Sequence, residues 1–430
     1  MKRFKRIMGC ILILTLIIIQ IAVYSRIVGH KSDEIKYNVF FEQEEDFDVL
    51  FMGSSHVLNA LLPMELWNDY GIVSYNMGGH GCTIPLSYWM LKMALEYTTP
   101  KLVVIDGYFI EKDMKEIEEI GYAHISLDEF PMTKTKALAI NDLFKNENKM
   151  EFYWQFSLYH NRWSKLNKED FIYKSNIEMG AEMRIGVAEP KVVEVDKTEK
   201  LDKETVAMEY MGKIIELCQS NGIEVLLTYL PYPVESYAEA NSMNAIAEKY
   251  GVNYINFLEK EIVNYETDCY DENSHLNPSG AWKVTDYLGQ FITENYAIED
   301  QRGNESYSEK WDAYYKQYIL SKEEKFINTE LNNQLMLMYD NDFNWGIFIP
   351  DIEAFYEDKQ QKSLLFNLGV DDNKINKDEW VIIYIDNKTG CIKYISKNNQ
   401  DEIKTLQDKT NITIDVEGEE PYCFMLDKIL

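Results

Sequence analysis

Positive charge is what this sequence has least of for its size. Forty-three lysines and arginines stand against 72 aspartates and glutamates, a formal net charge of -29. So acidic a surface repels nucleic acid and anionic headgroups alike, and the acidity is spread along the chain rather than gathered in one tail. Nucleic-acid binding is excluded on that ground. Cysteine is scarce too, with six in 430 residues. Cys10 sits in an N-terminal apolar run. The remaining five, Cys82, Cys218, Cys269, Cys391 and Cys423, are an odd number at scattered spacings, so they form no disulfide framework and no C-x-x-C zinc pair. No two of the six histidines have metal-ligand spacing, which argues against a metal hydrolase. The sequence asks for no cofactor.

Long apolar runs are almost absent, with one exception. Residues 7–25 carry no charged side chain and are mostly Ile, Leu and Val. As a helix they span about 28 Å, the thickness of a bilayer's hydrocarbon core. Lys2, Arg3, Lys5 and Arg6 precede the run and keep the N-terminus cytoplasmic. Ala22-Val23-Tyr24 offers no small-x-small cleavage site, and Cys10 lies at the start of the run rather than after it. A retained anchor is therefore expected over a cleaved or lipoprotein signal. The expectation is a single-pass cell-membrane protein whose main domain is extracellular. Residues 1–30 would form the cytoplasmic tip and transmembrane anchor, and an acidic stretch at 31–45 a stalk.

The chain as a whole is rich enough in apolar and aromatic residues, 46% and 13%, to bury a sizeable core. Asp48–Met52 reads as a short buried strand. Pro63 opens a helix that Gly71 stops, and Ile72–Tyr75 is a second strand ending in Asn76-Met77-Gly78-Gly79-His80-Gly81. A helix over Pro85–Tyr97 leads to Lys101–Asp106, the clearest buried strand. The spacing predicts a parallel sheet covered on both faces. Residues 111–200 break that rhythm and read as a mostly helical insertion. Its Tyr153, Trp154, Phe156, Tyr159 and Trp163 would pack it against the body or line a substrate groove. The rhythm resumes with a helix through Ala207 and Cys218 and a strand at Ile223–Leu230. A helix over about 241–250 and a strand at Val252–Phe257 come next, then a final helix from Pro278. The reading is a doubly wound, five-stranded parallel α/β domain, flavodoxin-like, over 46–300. Beyond it lie a helical connector at 301–340, striped with Trp311, Tyr314, Tyr315 and Tyr318, and a small β-rich module at 341–430. That module has strands at Trp345–Ile349, Glu379–Ile385, Cys391–Ile395, Ile412–Val416 and Tyr422–Leu426.

In such a sheet the loops after the strands gather on one edge. Ser55 in Gly53-Ser54-Ser55-His56 follows the first strand, Gly79 the second and Asp106 the third. His275, in Asp271-Glu272-Asn273-Ser274-His275-Leu276-Asn277-Pro278, follows the last. Serine needs a base near neutral pH, and His275 is placed to supply it. Asp271 or Glu272 can fix the imidazole tautomer. His56 and His80 flank the site, where they would contact substrate or fill space. His30, His124 and His160 read as surface residues.

Gly53-Ser54-Ser55 after a first strand, with an Asp-to-His block before the last helix, resembles the SGNH/GDSL hydrolase superfamily. His275-Leu276-Asn277-Pro278-Ser279-Gly280-Ala281 is similar to its membrane-anchored members, among them the D-alanyl-lipoteichoic-acid transfer protein and accessory proteins of polysaccharide O-acetylation. The resemblance covers roughly residues 46–298. It implies Ser55, rather than Ser54, as nucleophile. The family's acid lies three residues before the histidine, where Glu272 stands here. Asp271 is favoured all the same, with Glu272 the alternative, because aspartate is usual and a one-residue slip in a loop is easy. Ser54 replaces the family's usual aspartate, as in the anchored subgroup. Asp106-Gly107-Tyr108 stands where the family has an oxyanion-hole glycine and asparagine, so Asp106 is expected to point away. The hole would rest on the N–H groups of Ser55 and Gly79, with Asn76. The implied activity is an extracytoplasmic O-acyltransferase or esterase on a cell-envelope polysaccharide or teichoic acid. Its implied partner is a membrane-bound O-acyltransferase. The rival is a non-catalytic assembly or glycan-binding protein on the same fold.

Overall fold

A computed structural model gives the architecture; it describes all residues except 1, 30–34, 116, 173, 193–195, 234–235, 388, 411–412 and 429–430. The chain begins with α1 (Lys2–Gly29), whose apolar span has a mean hydropathy of 2.6 and no share buried within the protein. It is long and apolar enough to cross a membrane.

The residues expected as a stalk are not one. Residues 31–34 lie outside those described, but from Ile35 onward the segment is packed down. Tyr37, and Val39 and Phe40 of α2 (Asn38–Glu42), are buried. Glu129 fixes this arrival, its carboxylate accepting the N–H groups of Lys36 at 2.6 Å and Tyr37 at 2.9 Å. Phe40 stacks flat on Phe47, centroids 5.4 Å apart. Aromatic burial outweighs the acidity that suggested a solvated linker.

The main domain alternates as expected. In order come β1 (Val49–Met52), α3 (Ser55–Ala60), α4 (Pro63–Tyr70), β2 (Ser74–Asn76), α5 (Ile84–Ala94) and β3 (Leu102–Asp106). The insertion then contributes α6 (Ile120–Leu127), α7 (Lys134–Leu143), α8 (Asn146–Tyr153) and α9 (Phe156–Tyr159). After it come α10 (Val206–Ser220), β4 (Glu224–Tyr229), α11 (Ala238–Tyr250), β5 (Asn253–Asn256) and α12 (Pro278–Asn295). All five strands are parallel, in the order β2-β1-β3-β4-β5. Every residue of β1 and β3 is buried, as apolar runs sandwiched between helix layers must be. The strand order reverses at β1, so a crevice opens beyond the C-terminal ends of β1 and β3. α12 starts at Asn277, whose side chain accepts from Gly280 N at 3.2 Å, and Pro278 holds the first turn. Thr285 in α12 donates to Ala60 O and accepts from Leu62 N, which pins the end of α3.

The insertion is helical only in its first half. Residues 174–192 run without a helix along the sheet's edge. Met179 O accepts from Asn76 N, and Glu182 N donates to Leu58 O. His124, expected at the surface, is buried. It stacks on Phe152 at 4.0 Å and bonds Asp128 through Nδ1. His160 is exposed as expected, and His30 lies outside the described residues.

The C-terminal part opens with α13 (Glu305–Ile327) and α14 (Leu331–Leu337). It continues into the antiparallel sheet β8-β7-β6-β9, from β6 (Phe343–Ile349), β7 (Val381–Asp386), β8 (Cys391–Ser396) and β9 (Tyr422–Lys428). β7 and β8 form the expected hairpin. The strand expected at Ile412–Val416 is absent: Ile412 lies outside the described residues, and 413–416 join no sheet. Trp311 and Tyr318 of α13 and Trp345 and Ile347 of β6 belong to one hydrophobic core with the α/β domain. All six cysteines are free thiols.

Candidate active site

β1 ends in Gly53, whose φ of 151° suits glycine. A Cβ there would meet Val57 Cγ2 at 2.5 Å. The chain then turns sharply into α3, with Ser54 as N-cap accepting from His56 N at 3.2 Å and Ser55 as the first helical residue. A serine so placed projects its hydroxyl from the sheet's C-terminal edge.

β5 lies three strands from β1, about 14 Å at ordinary strand spacing, and residues 257–275 cross that distance. Their end is tied into a compact turn. Tyr270 N donates to His275 O at 2.9 Å and Ser274 N to Asp271 O at 3.2 Å, while Ser274 adopts a left-handed φ of 69°. Asp268, fully buried beneath, is paired with Lys283 at 2.7 Å and accepts from Ser279 Oγ at 3.0 Å.

The turn presents His275 to Ser55. Oγ and Nε2 are 2.8 Å apart, and Nδ1 lies 2.8 Å from Asp271 Oδ2. The other oxygen, Oδ1, accepts the His275 backbone N–H at 3.1 Å. Held at both points, the carboxylate fixes the tautomer with the proton on Nδ1, leaving Nε2 to accept from Ser55. Asp271 is thus the carboxylate on the imidazole. Glu272, the alternative, is exposed.

The imidazole of His275 is sandwiched. Tyr270 stacks on one side at 5.5 Å and His56 on the other at 4.9 Å. His56 is itself buried against Tyr108 at 4.2 Å and Tyr232 at 4.7 Å. Burial, and then the charge on His275, hold His56 down at about 3, so it is neutral near pH 7. Tyr270, Tyr108 and Tyr232 were not expected at the site from the sequence. The last two each fall within three residues of a strand's C-terminal end, a position that could have marked them.

The expected oxyanion hole is largely spent elsewhere. Asn76 is buried, and its amide donates to Val57 O and Leu61 O at 2.8 Å while Oδ1 accepts Gly78 N at 2.9 Å. The Gly79 N–H donates to Gly53 O at 3.1 Å. Both corrections have one cause: a glycine-rich turn packed under α3 must satisfy its own backbone groups before it can serve a ligand. The Ser55 N–H, at the start of α3, has no acceptor within the described protein. Asp106 points away as expected, accepting from Tyr108 N at 3.0 Å and Leu230 N at 2.8 Å. Burial, set against those donors, raises it to about 6.

His80 flanks the triad by way of a cleft that Asp271 also lines. The cleft, of about 600 Å³, is lined too by Tyr122, Glu182, Arg184 and Tyr270, and His80 Nε2 lies 3.0 Å from Glu182 Oε2. Burial pushes Glu182 up, but His80 and Arg184 outweigh it and hold the carboxylate at about 2. Lys36 is buried at the cleft's margin with Nζ on Gly78 O, and burial lowers it to about 7. No group of metal-ligating side chains occurs among the described residues.

An imidazole held by a carboxylate can take the proton of a serine hydroxyl and so make its oxygen a nucleophile. No family model and no curated protein matches this chain. Several solved structures show a likeness, among them two acyl-ester hydrolases by their descriptions. A candidate acylhydrolase from Bacteroides fragilis is 13% identical, with a TM-score of 0.30 over 60% of this chain and 94% of that one. A GDSL-like lipase from Bacteroides thetaiotaomicron is 12% identical, with a TM-score of 0.27 over 59% and 89%. Likenesses at those values say nothing of the site or its substrate.

Proposed function

We propose that this chain is an anchored, extracytoplasmic serine esterase or O-acyltransferase of the SGNH/GDSL kind, acting on acyl groups of a cell-envelope polysaccharide or teichoic acid. The observation that carries this is the unbroken line from Ser55 Oγ through His275 to Asp271, with 2.8 Å at each link. Ser55 Oγ attacks the acyl carbonyl while His275 Nε2 takes its proton. The intermediate then expels the donor's oxygen, which receives that proton, and the acyl group stays on Ser55 as an ester. A glycan hydroxyl, or water in an esterase, attacks the ester in turn with His275 as base. Ser55 leaves and recovers its proton. Asp271 steadies the imidazolium in both halves.

α1 supports the anchored placement, since its apolar span matches a bilayer core. A membrane-bound O-acyltransferase that delivers acyl groups to the outer face fits as partner. The chemistry is tested with a fluorophosphonate probe. Wild type should be labelled and Ser55→Ala should not, and labelling that survives the substitution overturns the mechanism.

A second reading has an observation of its own. With Asn76 and Gly79 engaged, only the Ser55 N–H is left free among the expected oxyanion donors, as suits a glycan-binding or assembly protein that has kept the fold and lost the chemistry. Labelling confined to Ser55 decides against it.

A further inference from the structure

Outside α1, large apolar side chains exposed to solvent concentrate in one place. Met150, Tyr153, Trp154, Trp163, Phe171 and Ile172 fall within a 23-residue stretch of the insertion. Trp154 is 47% exposed, and Trp163 and Phe171 are each 66% exposed. Tryptophan and phenylalanine left so open are unusual on a surface that faces only water. From the sequence these aromatics were expected to pack inward or to line a groove. Of those named, only Tyr159 is buried.

The same stretch touches the far end of α1. Tyr24 meets Phe156 edge-on at 5.6 Å, and Phe156 stacks on Trp154 at 5.4 Å. Arg162 donates to Val28 O and pairs with Asp170. Trp163 and Phe171 are therefore the chain neighbours of the two residues that hold the helix end. The uncharged run of α1 stops at Ser25, so Tyr24 and Val28 mark the level at which the helix would leave the hydrocarbon core. Charge changes sign here as well. Residues 145–174 hold six basic and four acidic side chains, a local balance of +2 in a chain of net -29.

We propose that this stretch is a membrane-docking face. Trp154, Trp163 and Phe171 seat in the headgroup layer of the outer leaflet, beside the emerging end of α1, and the neighbouring lysines meet anionic lipid. This rests on the reading of α1 as a retained anchor. Tryptophan with lysine is the composition of interfacial belts. Continuity with the membrane helix, together with the reversed charge, selects lipid over a soluble partner. Docking would fix the height of the site above the bilayer, where a free tether would let it swing.

The full chain is reconstituted into vesicles of equal parts phosphatidylglycerol and phosphatidylcholine, with and without lipids brominated near the headgroup, and tryptophan emission is recorded. None of the eight tryptophans lies in α1, so insertion of the anchor alone produces no quenching. Bromolipid should quench the wild type, and the double variant W154F/W163F should lose at least half of that quenching. Equal quenching in both, or none in the wild type, overturns the docking face while α1 resists carbonate extraction. The stretch would then be left to a protein partner. Extraction of the wild type by carbonate overturns the anchor and the docking face with it.

Discussion

His56 and His275 lie face to face, ring centroids 4.9 Å apart and planes 24° from parallel. Two imidazoles at that distance cannot both be charged without mutual repulsion, and burial decides which stays neutral. His56 is buried, which penalises its charged form, and it is held at about 3. The acid limb of a pH–rate profile near neutrality therefore does not belong to His56. With an activated acyl ester as substrate, His56→Phe should leave the midpoint of that limb within about half a pH unit of wild type. A larger displacement would mean that His56 titrates during turnover.

The same burial makes His56 a source of acid lability. Unfolded, the side chain takes a proton below about 6.5; folded, only near 3. In that window the unfolded state binds more protons, so this contribution is complete above pH 6.5 and is lost as pH falls towards 3. At pH 5 the loss is on the order of 2 kcal/mol. Urea unfolding of wild type and His56→Phe at pH 7.5 and pH 5 should show the smaller drop in the variant. Parallel drops would remove His56 from the account.

Asp271 grips His275 at both the ring and the backbone, whereas Glu272 faces solvent. Asp271→Asn keeps the shape but offers Nδ1 a donor, which favours the wrong tautomer, and should lower kcat by about 10⁴. Glu272→Gln should stay within about twofold of wild type. A reversed pair of effects, read as kcat on a soluble ester, would return the acid to Glu272.

The residues that carry the chemistry were legible because their signals are local or follow from topology. β1 and β3 announce themselves as short apolar runs, and a parallel sheet brings the loops after its strands to one edge wherever they lie in the chain. The two loops that carry Ser55 and His275 could be named on that basis, while Ser55 over Ser54 and Asp271 over Glu272 rested on the resemblance to a known superfamily. The polar wiring could not. Asn76 looked like an oxyanion donor because nothing near it in sequence shows that Val57 O and Leu61 O, at the end of α3, would claim its amide. Acidity at 42–46 suggested a stalk, though Tyr37, Phe40 and Phe47 were there to bury. β9 pairs with β6 across some eighty residues, so the module's edge could not be told from the neighbouring run at 412–416.

Asn76 is accordingly a clamp, and its substitution should be felt in stability. Asn76→Ala leaves Leu61 O and the Gly78 N–H buried without partners and takes from Val57 O one of its two donors, the other being Leu61 N, at a cost of about 2–4 kcal/mol. Denaturant unfolding measures it. A variant as stable as wild type, but with activity down a hundredfold or more, would restore Asn76 to the oxyanion hole.

The last prediction concerns the joint between the α/β domain and the C-terminal part. Lys322 of α13 is buried with its Nζ 2.6 Å from Glu65 in α4, 2.8 Å from Asp340 and 2.7 Å from Asp342, the latter two just before β6. Tyr318 adds a hydroxyl on Glu65 at 2.9 Å. One ammonium thus faces three carboxylates from two parts of the chain, and burial, opposed by Lys322, raises Glu65 and Asp340 above the usual carboxylate range. Lys322→Met removes the only cation among these four groups and leaves the acids facing one another, at an expected cost of about 3–5 kcal/mol. Converting Glu65, Asp340 and Asp342 to their amides in the Met background should recover much of that loss, because the penalty lies in uncompensated charge and not in a missing contact. If the amides recover nothing, Lys322 acts through packing and the joint is not electrostatic.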